Sequence, residues 1–167
     1  MFDLKLLSTA AIPAALAQAQ RYRLLNEPHE AESICLDILR VDSDNEDALV
    51  TLVLSYTDEF REGSIARLAA DAQNAVERIQ DEYKRWYYSG IIRERRGKAE
   101  LRTDRPGSGR SVREWMGDAM SCYERAEALR PEGNDEALLR WNTCARILMR
   151  HPELDETPDE PMQSYLE

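Results

Sequence analysis

Residues 83–97 read YKRWYYSGIIRERRG, and Trp86, Gly90 and Gly97 in this stretch are spaced for a single helix. A second helix carries small and aromatic residues at similar spacing, at Ala119, Tyr123 and Ala126, before Pro131. Small residues let two helices approach closely, and the resulting hairpin buries its apolar face only against neighbouring hairpins. The stretch therefore predicts a stack of helical hairpins.

This spacing resembles the tetratricopeptide repeat, in which about 34 residues carry the pattern W-x2-L-G-x2-Y, then A-x3-F, then P. Two earlier repeats fit the same phase, with Leu49, Leu52, Val53 and Tyr56 in one and Ala15, Ala19 and Tyr22 in the other. The resemblance implies an all-α fold, a right-handed α-α superhelix of hairpins that binds partners. Another family of α-hairpin repeats is the alternative.

The predicted domain covers residues 1–150, and an acidic, proline-containing tail covers 151–167. The repeats are predicted at about 12–45, 46–82 and 83–133, with a capping helix at 134–150. The third repeat holds a basic insertion at 98–114. At its centre, RPGSGRS (105–111) combines proline, glycine and serine, a composition that disfavours a helix and predicts a mobile loop rather than a phosphate cradle.

Composition limits the compartments and partners of the chain. With 43% hydrophobic and 32% charged residues, and no run of about 18 apolar residues, the sequence predicts no membrane span. A net charge of −10 argues against nucleic acid or anionic lipid as the main partner. Cys35, Cys122 and Cys144 form no C-x-x-C pair, which argues against disulfides or a zinc site and fits a reducing cytoplasm. Cys35 and Cys144 fall at core positions of the repeats and are predicted to be buried rather than reactive thiols.

Residues suited to catalysis are scarce. The chain has two histidines, His29 and His151, in a predicted turn and at a helix end. Acidic pairs such as Glu59 and Glu62 are interpreted as solvated helix-end charges. We therefore predict no catalytic residue, no metal site and no cofactor, and a protein that is not an enzyme.

The resemblance also implies an inner groove lined by the first helix of each repeat. Its residues are Leu16, Gln20, Arg23, Val50, Thr51, Leu54, Asp58, Lys84, Tyr87, Tyr88, Ile91, Arg95, Leu138, Leu139, Asn142 and Arg146. The apolar members favour an apolar helical or extended segment of a protein partner, unless they pack under neighbouring helices. Family members that bind chaperone termini hold a carboxylate with basic and asparagine side chains, and only Lys84 fits that pattern here.

Two further partners follow from charge and composition. Between Arg93 and Arg113 lie eight basic and three acidic residues, a local +5 that includes Arg102, Arg105, Arg110 and Arg113. This insertion favours nucleic acid or an acidic ligand as the alternative function, unless its charges are merely solvated. The chain's own tail or a second copy of the chain is also a candidate partner. The main prediction is a cytoplasmic adaptor or scaffold that binds a protein or peptide.

Overall fold

The computed structural model describes residues 2–61, 64–103 and 108–155. Its seven α-helices are α1 (Ile12–Leu24), α2 (Pro28–Val41), α3 (Glu46–Asp58), α4 (Ile65–Glu77), α5 (Glu82–Thr103), α6 (Ser108–Leu129) and α7 (Glu136–Arg150). Short 3-10 helices occur at Thr9–Ala11, Glu59–Arg61 and Pro152–Asp155. No β-strand occurs in these described ranges, and consecutive helices pack together, so the predicted all-α fold of helical hairpins is confirmed.

Local sequence signals set the turns between helices. Asn26 has a left-handed backbone with φ of 61°, which asparagine tolerates better than most residues, and Pro28 then begins α2. The N-cap of α3 is Asn45, whose side-chain oxygen accepts a hydrogen bond from the Ala48 amide at 2.9 Å. Gly133, with φ of 80°, lies in the turn between α6 and α7. These turns fold the chain into the hairpins α1/α2, α3/α4 and α5/α6, followed by α7.

The core consists of two apolar clusters that meet along α5. The first fills the space between α1, α2, α3 and α4 and includes Ile92 of α5, whereas the second joins α5, α6 and α7 and includes Ile91. Tyr88 packs against both clusters. Each hairpin therefore completes its core with the next one, as expected for a repeat protein.

Helices α5 and α6 pack closely at two glycines, Gly90 and Gly97. A Cβ atom on Gly90 would lie 2.5 Å from the nearest ring atom of Tyr123, so only glycine fits there. Gly97 faces Met116 and Trp115, where a Cβ would lie 3.0 Å from the Met116 methyl group. The two glycines thus allow α6 to lie directly against α5.

The loop predicted at residues 105–111 is wrong for residues 108–111, which belong to α6, whereas 105–107 lie outside the described residues. α5 continues to Thr103 and α6 begins at Ser108, so the insertion lengthens both helices of the hairpin. Val112 and Met116 are fully buried between the helices, and this burial outweighs the weak helix propensity of the nearby glycine and serines. Arg105 lies outside the described residues.

The first residues of the predicted tail also belong to the packed structure. Pro152–Asp155 forms a 3-10 helix, and Leu154 is buried in the second cluster against α6. The remaining tail, 156–167, lies outside the described residues, and so does the prediction that it docks on the domain.

Candidate functional site

A polar pocket of about 400 Å³ lies where the first helices of the hairpins come together with α7. Its lining residues are Arg23, Leu24, Asn26, Thr57, Asp58, Phe60, Arg95, Lys98, Arg102 and Arg140. This volume falls within the range of about 300–1,000 Å³ that ligand sites usually have. We call it the basic pocket, because five of the ten lining side chains that belong to the described residues are arginine or lysine.

One wall of the basic pocket is organised by Asp58 at the end of α3. Its carboxylate accepts a hydrogen bond from Arg23 Nε at 2.9 Å and forms an ion pair with Arg95. Arg95 also donates to the Thr57 hydroxyl at 2.7 Å. The single Asp58 carboxylate thus holds two guanidinium groups in place. Because two positive charges face one negative charge, this group of three side chains keeps one net positive charge.

Two further cations of the pocket, Lys98 and Arg140, are held by Glu94, which is fully buried between α5, α6 and α7. Its carboxylate accepts hydrogen bonds from the Tyr123 hydroxyl at 2.6 Å and from Arg140 at 3.2 Å, and it pairs with Lys98 one turn along α5. Burial, followed by the nearby Glu94, raises the pKa of Tyr123 above its usual range. Tyr123 therefore stays a neutral hydrogen-bond donor, and the network anchors the cationic wall to the core.

Charge is the distinguishing property of this pocket. Asp58 and Glu94 pair with four of the five cations, which leaves a surplus of three positive charges in a chain of net charge −10. The fifth cation, Arg102, is exposed at the end of α5. Concentrated positive charge within a negative protein attracts negatively charged groups to one place on the surface.

The structure brings together only part of the predicted groove. Arg23, Asp58 and Arg95 meet in the basic pocket, and they are joined there by Arg102 from the predicted insertion. Gln20 is exposed outside the pocket, and Leu138 and Asn142 of α7 are partly exposed there. The charged positions of the groove thus converge, whereas these three do not.

Several apolar groove positions instead belong to the core, which corrects the prediction of an apolar binding row. Ile91 is 1% exposed and Thr51 3% exposed, because both face neighbouring helices. Five more of the predicted groove residues are half-buried and pack against the two apolar clusters, namely Leu16, Val50, Leu54, Tyr87 and Tyr88. These side chains hold the helices together and leave little apolar surface for a ligand.

The tyrosines at the predicted centre of the groove form an aromatic cluster. The ring centroids of Tyr87 lie 5.8 Å from Tyr83, 5.1 Å from Tyr88 and 6.0 Å from Tyr123. Burial raises the pKa of Tyr88 to about 12. Because the cluster links α5 to α6, replacing Tyr87 and Tyr88 with alanine would damage the fold as well as any binding surface.

Lys84, the residue that fitted the carboxylate-binding pattern, already has a carboxylate partner in the chain. Its Nζ donates to Glu46 at 2.9 Å, and the other oxygen of Glu46 accepts from the amides of Gln80 and Asp81. This contact ties the start of α3 to the turn before α5. Lys84 therefore has a structural role here.

The basic residues from Arg93 to Arg113 do not form one surface. Arg95, Lys98 and Arg102 face the basic pocket, whereas Arg96 lies over the Trp115 ring at 4.0 Å from its centroid. Arg110 and Arg113 are exposed on α6. The predicted patch is thus divided between the pocket and other faces of the hairpin.

Arg140 is a pocket residue that the sequence analysis did not select, and Lys98 was counted only among the basic residues of the insertion. The signal for Lys98 was present, since Arg95, Lys98 and Arg102 are spaced by three and four residues, as on one helix face. Recognising it required that α5 continue beyond Gly97. No sequence signal placed Arg140 there, because its position depends on how α7 packs.

All three cysteines are buried free thiols, as predicted for Cys35 and Cys144. Burial raises the pKa of both thiols to about 12 and also raises the pKa of Cys122. Such thiols stay protonated near neutral pH and react poorly.

Comparisons of this chain with protein-family models, curated proteins and solved structures find no match. Within the described part of the chain, no helix is both long and apolar enough to cross a membrane.

Proposed function

We propose that this protein is a non-catalytic interaction module, and that its basic pocket binds an acidic segment of a partner protein. The observation that carries the proposal is the convergence of five cations from α1, α5 and α7 on one pocket of a strongly acidic chain. The ligand class differs from the apolar segment expected from the sequence, because the apolar groove positions pack in the core.

A short acidic protein segment fits the electrostatics better than nucleic acid. At physiological ionic strength, charges more than about 8 Å apart are largely screened. A few carboxylates in the pocket would meet its surplus positive charge, whereas a long polyanion would extend over the negative remainder of the surface. Arginine also suits carboxylates, because its planar guanidinium can donate two parallel hydrogen bonds.

The pocket is also poorly suited to acid–base catalysis. Asp58, the carboxylate among its described lining residues, is held by two cations, and neither histidine nor cysteine is among those residues. A general base needs a lone pair that is free to accept a proton from substrate. These contacts support binding rather than chemistry.

The tetratricopeptide-type repeat and the cytoplasmic location are part of this proposal. The order of hairpins and the Gly90–Tyr123 contact support the repeat assignment, and three unpaired thiols support a reducing compartment. Repeat proteins of this kind present ligand surfaces on the first helices of their hairpins, and the basic pocket is built mainly from such helices.

The test is a titration of the full chain with a fluorescent glutamate-rich peptide, followed by anisotropy, with a glutamine-rich peptide as the uncharged control. Arg102→Glu reverses the charge of an exposed pocket residue, and Arg110→Glu makes the same change on α6 outside the pocket. A hydrogen bond to a charged group contributes about 1.5–3 kcal/mol, so Arg102→Glu should weaken binding by about 10- to 100-fold. Arg110→Glu should change affinity less than about threefold, since it acts only through the screened net charge.

Two results would contradict the proposal. One is equal loss of affinity in the two variants, which would show that the ligand responds to net charge and not to the pocket. The other is binding of a single-stranded oligonucleotide that is tighter than that of the peptide and is reduced by Arg110→Glu, which would favour the alternative function in nucleic-acid binding.

A further inference from the structure

Three side chains with metal-binding chemistry meet at the junction of the first two hairpins. His29 and Glu32 lie in the first turns of α2, and Glu59 begins the 3-10 helix that follows α3. His29 and Glu59 also line a second pocket of about 290 Å³, together with Asn26, Glu27 and Pro28. The left-handed turn at Asn26 sets the direction in which α2 begins, and so places His29 beside the end of α3.

The distances between these side chains are those of ligands around one small cation. His29 Nδ1 lies 3.3 Å from Glu59 Oε1 and 4.0 Å from Glu32 Oε2, and all three ligand atoms lie within 4.8 Å of one another. Bonds of about 2.0–2.2 Å from zinc to nitrogen and oxygen place neighbouring tetrahedral ligands roughly 3.3–3.6 Å apart. Small side-chain rotations would bring all three atoms to that spacing.

Glu59 is a buried side chain and not the solvated charge that the sequence analysis expected. Glu59 is 4% exposed, and its Oε1 atom has no hydrogen-bond partner within the described ranges. A buried carboxylate oxygen without a partner is costly, so such an atom in a native protein calls for a cation or a proton. This oxygen is the one that faces His29.

We infer that His29, Glu32 and Glu59 form a binding site for one divalent transition-metal ion of the Zn²⁺ type. An imidazole nitrogen with two carboxylates suits zinc better than Mg²⁺ or Ca²⁺, which prefer all-oxygen ligands. The His29 side chain is 68% exposed, so the open side of the site can admit water as a fourth ligand. The ion would fasten the α1/α2 turn to the end of α3, and this inference does not depend on the proposed function of the basic pocket.

A proton is the competing occupant. Burial, followed by the neighbouring Glu32, raises the pKa of the Glu59 carboxyl above its usual value. A carboxyl proton shared between Glu59 and Glu32 would satisfy the same oxygen without any metal. The experiment must therefore separate metal binding at His29 from protonation of the acidic pair.

The experiment is calorimetric titration of Zn²⁺ into the metal-free full chain at neutral pH, with His29→Ala and His151→Ala as matched variants. His151 is the other histidine of the chain, and among the described residues it pairs with Glu153 at 2.7 Å. Wild type and His151→Ala should bind one equivalent of Zn²⁺, and Zn²⁺ should raise their melting temperatures. Because loss of a direct ligand should cost more than the roughly 10- to 100-fold typical of outer-shell partners, His29→Ala should bind at least about 100-fold more weakly.

Glu59→Gln is the second variant, because it keeps the size of the side chain and removes the charge. It should lose Zn²⁺ binding to the same extent as His29→Ala. Equal Zn²⁺ affinity in His29→Ala and His151→Ala would overturn the inference. So would a wild-type chain that binds no Zn²⁺ at millimolar concentration, which would leave the proton as the occupant.

Discussion

Replacing Gly90 with alanine tests the helix packing on which the account of the fold rests. A Cβ atom there would lie 2.5, 2.8 and 2.9 Å from three ring atoms of Tyr123. The ring has no room to retreat, because Tyr123 is fully buried and donates to the buried Glu94 at 2.6 Å. Overpacking of a core costs about 1–3 kcal/mol, and we take the upper end because the contact is with a fixed ring. Alanine regains about 1 kcal/mol of helix propensity, which leaves a net loss of about 2 kcal/mol.

The matched control is Gly117→Ala in α6, where nothing lies within 4 Å of the added Cβ atom. This variant should gain about 0.5–1 kcal/mol from helix propensity alone. For a domain of this size 1 kcal/mol shifts the melting temperature by about 2–4 °C, so Gly90→Ala should melt about 4–8 °C lower than wild type and Gly117→Ala about 1–4 °C higher. Thermal unfolding followed by circular dichroism measures both. Equal melting temperatures for the two variants would refute the close α5/α6 approach at Gly90.

Three further predictions concern charge, thiols and the tail. The Lys84 ammonium and then the Asp81 amide hold the pKa of Glu46 below its usual value of 4.5. The Glu46 carboxylate therefore stabilises the fold fully above about pH 4.5, and this stabilisation is lost as the pH falls through the lowered pKa. Glu46→Gln should thus cost about 1 kcal/mol in urea unfolding at pH 7, with the difference from wild type shrinking towards pH 3. The three buried thiols should resist a thiol reagent at pH 8 in the native chain and all react once urea unfolds it; rapid native labelling of Cys35 or Cys144 would contradict their placement. Deleting residues 156–167 removes an acidic segment that is tethered to the domain and would compete with the acidic peptide for the pocket, so the affinity for the peptide should rise severalfold; an unchanged affinity would show that the tail does not compete.

The helical hairpins were predictable because their signals are local. Trp86, Gly90 and Tyr123 have the spacing of two closely packed helices, and Asn45 and Asn26 mark helix boundaries. The helix at residues 108–111 was not predictable in the same way. One glycine and both serines of the predicted loop fall there and favour a loop, and the burial of Val112 and Met116 against α5 outweighs that preference.

The candidate site was less predictable because it depends on how distant helices meet. Arg95 and Asp58 fell on the expected groove positions, but Ile91 on the same helix turned out to be buried. Arg140 and the contact between His29 and Glu59 depend on tertiary packing between residues far apart in the chain. A pattern within one helix cannot show which neighbouring helix covers each of its faces.

Side-chain NMR of the arginines tests most directly whether an acidic segment binds in the basic pocket. The chain would be labelled with ¹⁵N, and the Nε–Hε signals of Arg23, Arg95, Arg102 and Arg140 followed during addition of the glutamate-rich peptide. The account predicts saturable shifts of these four signals with one common affinity, and little change at Arg110. Shifts centred on Arg110, or saturation of binding with the four pocket signals unmoved, would contradict it.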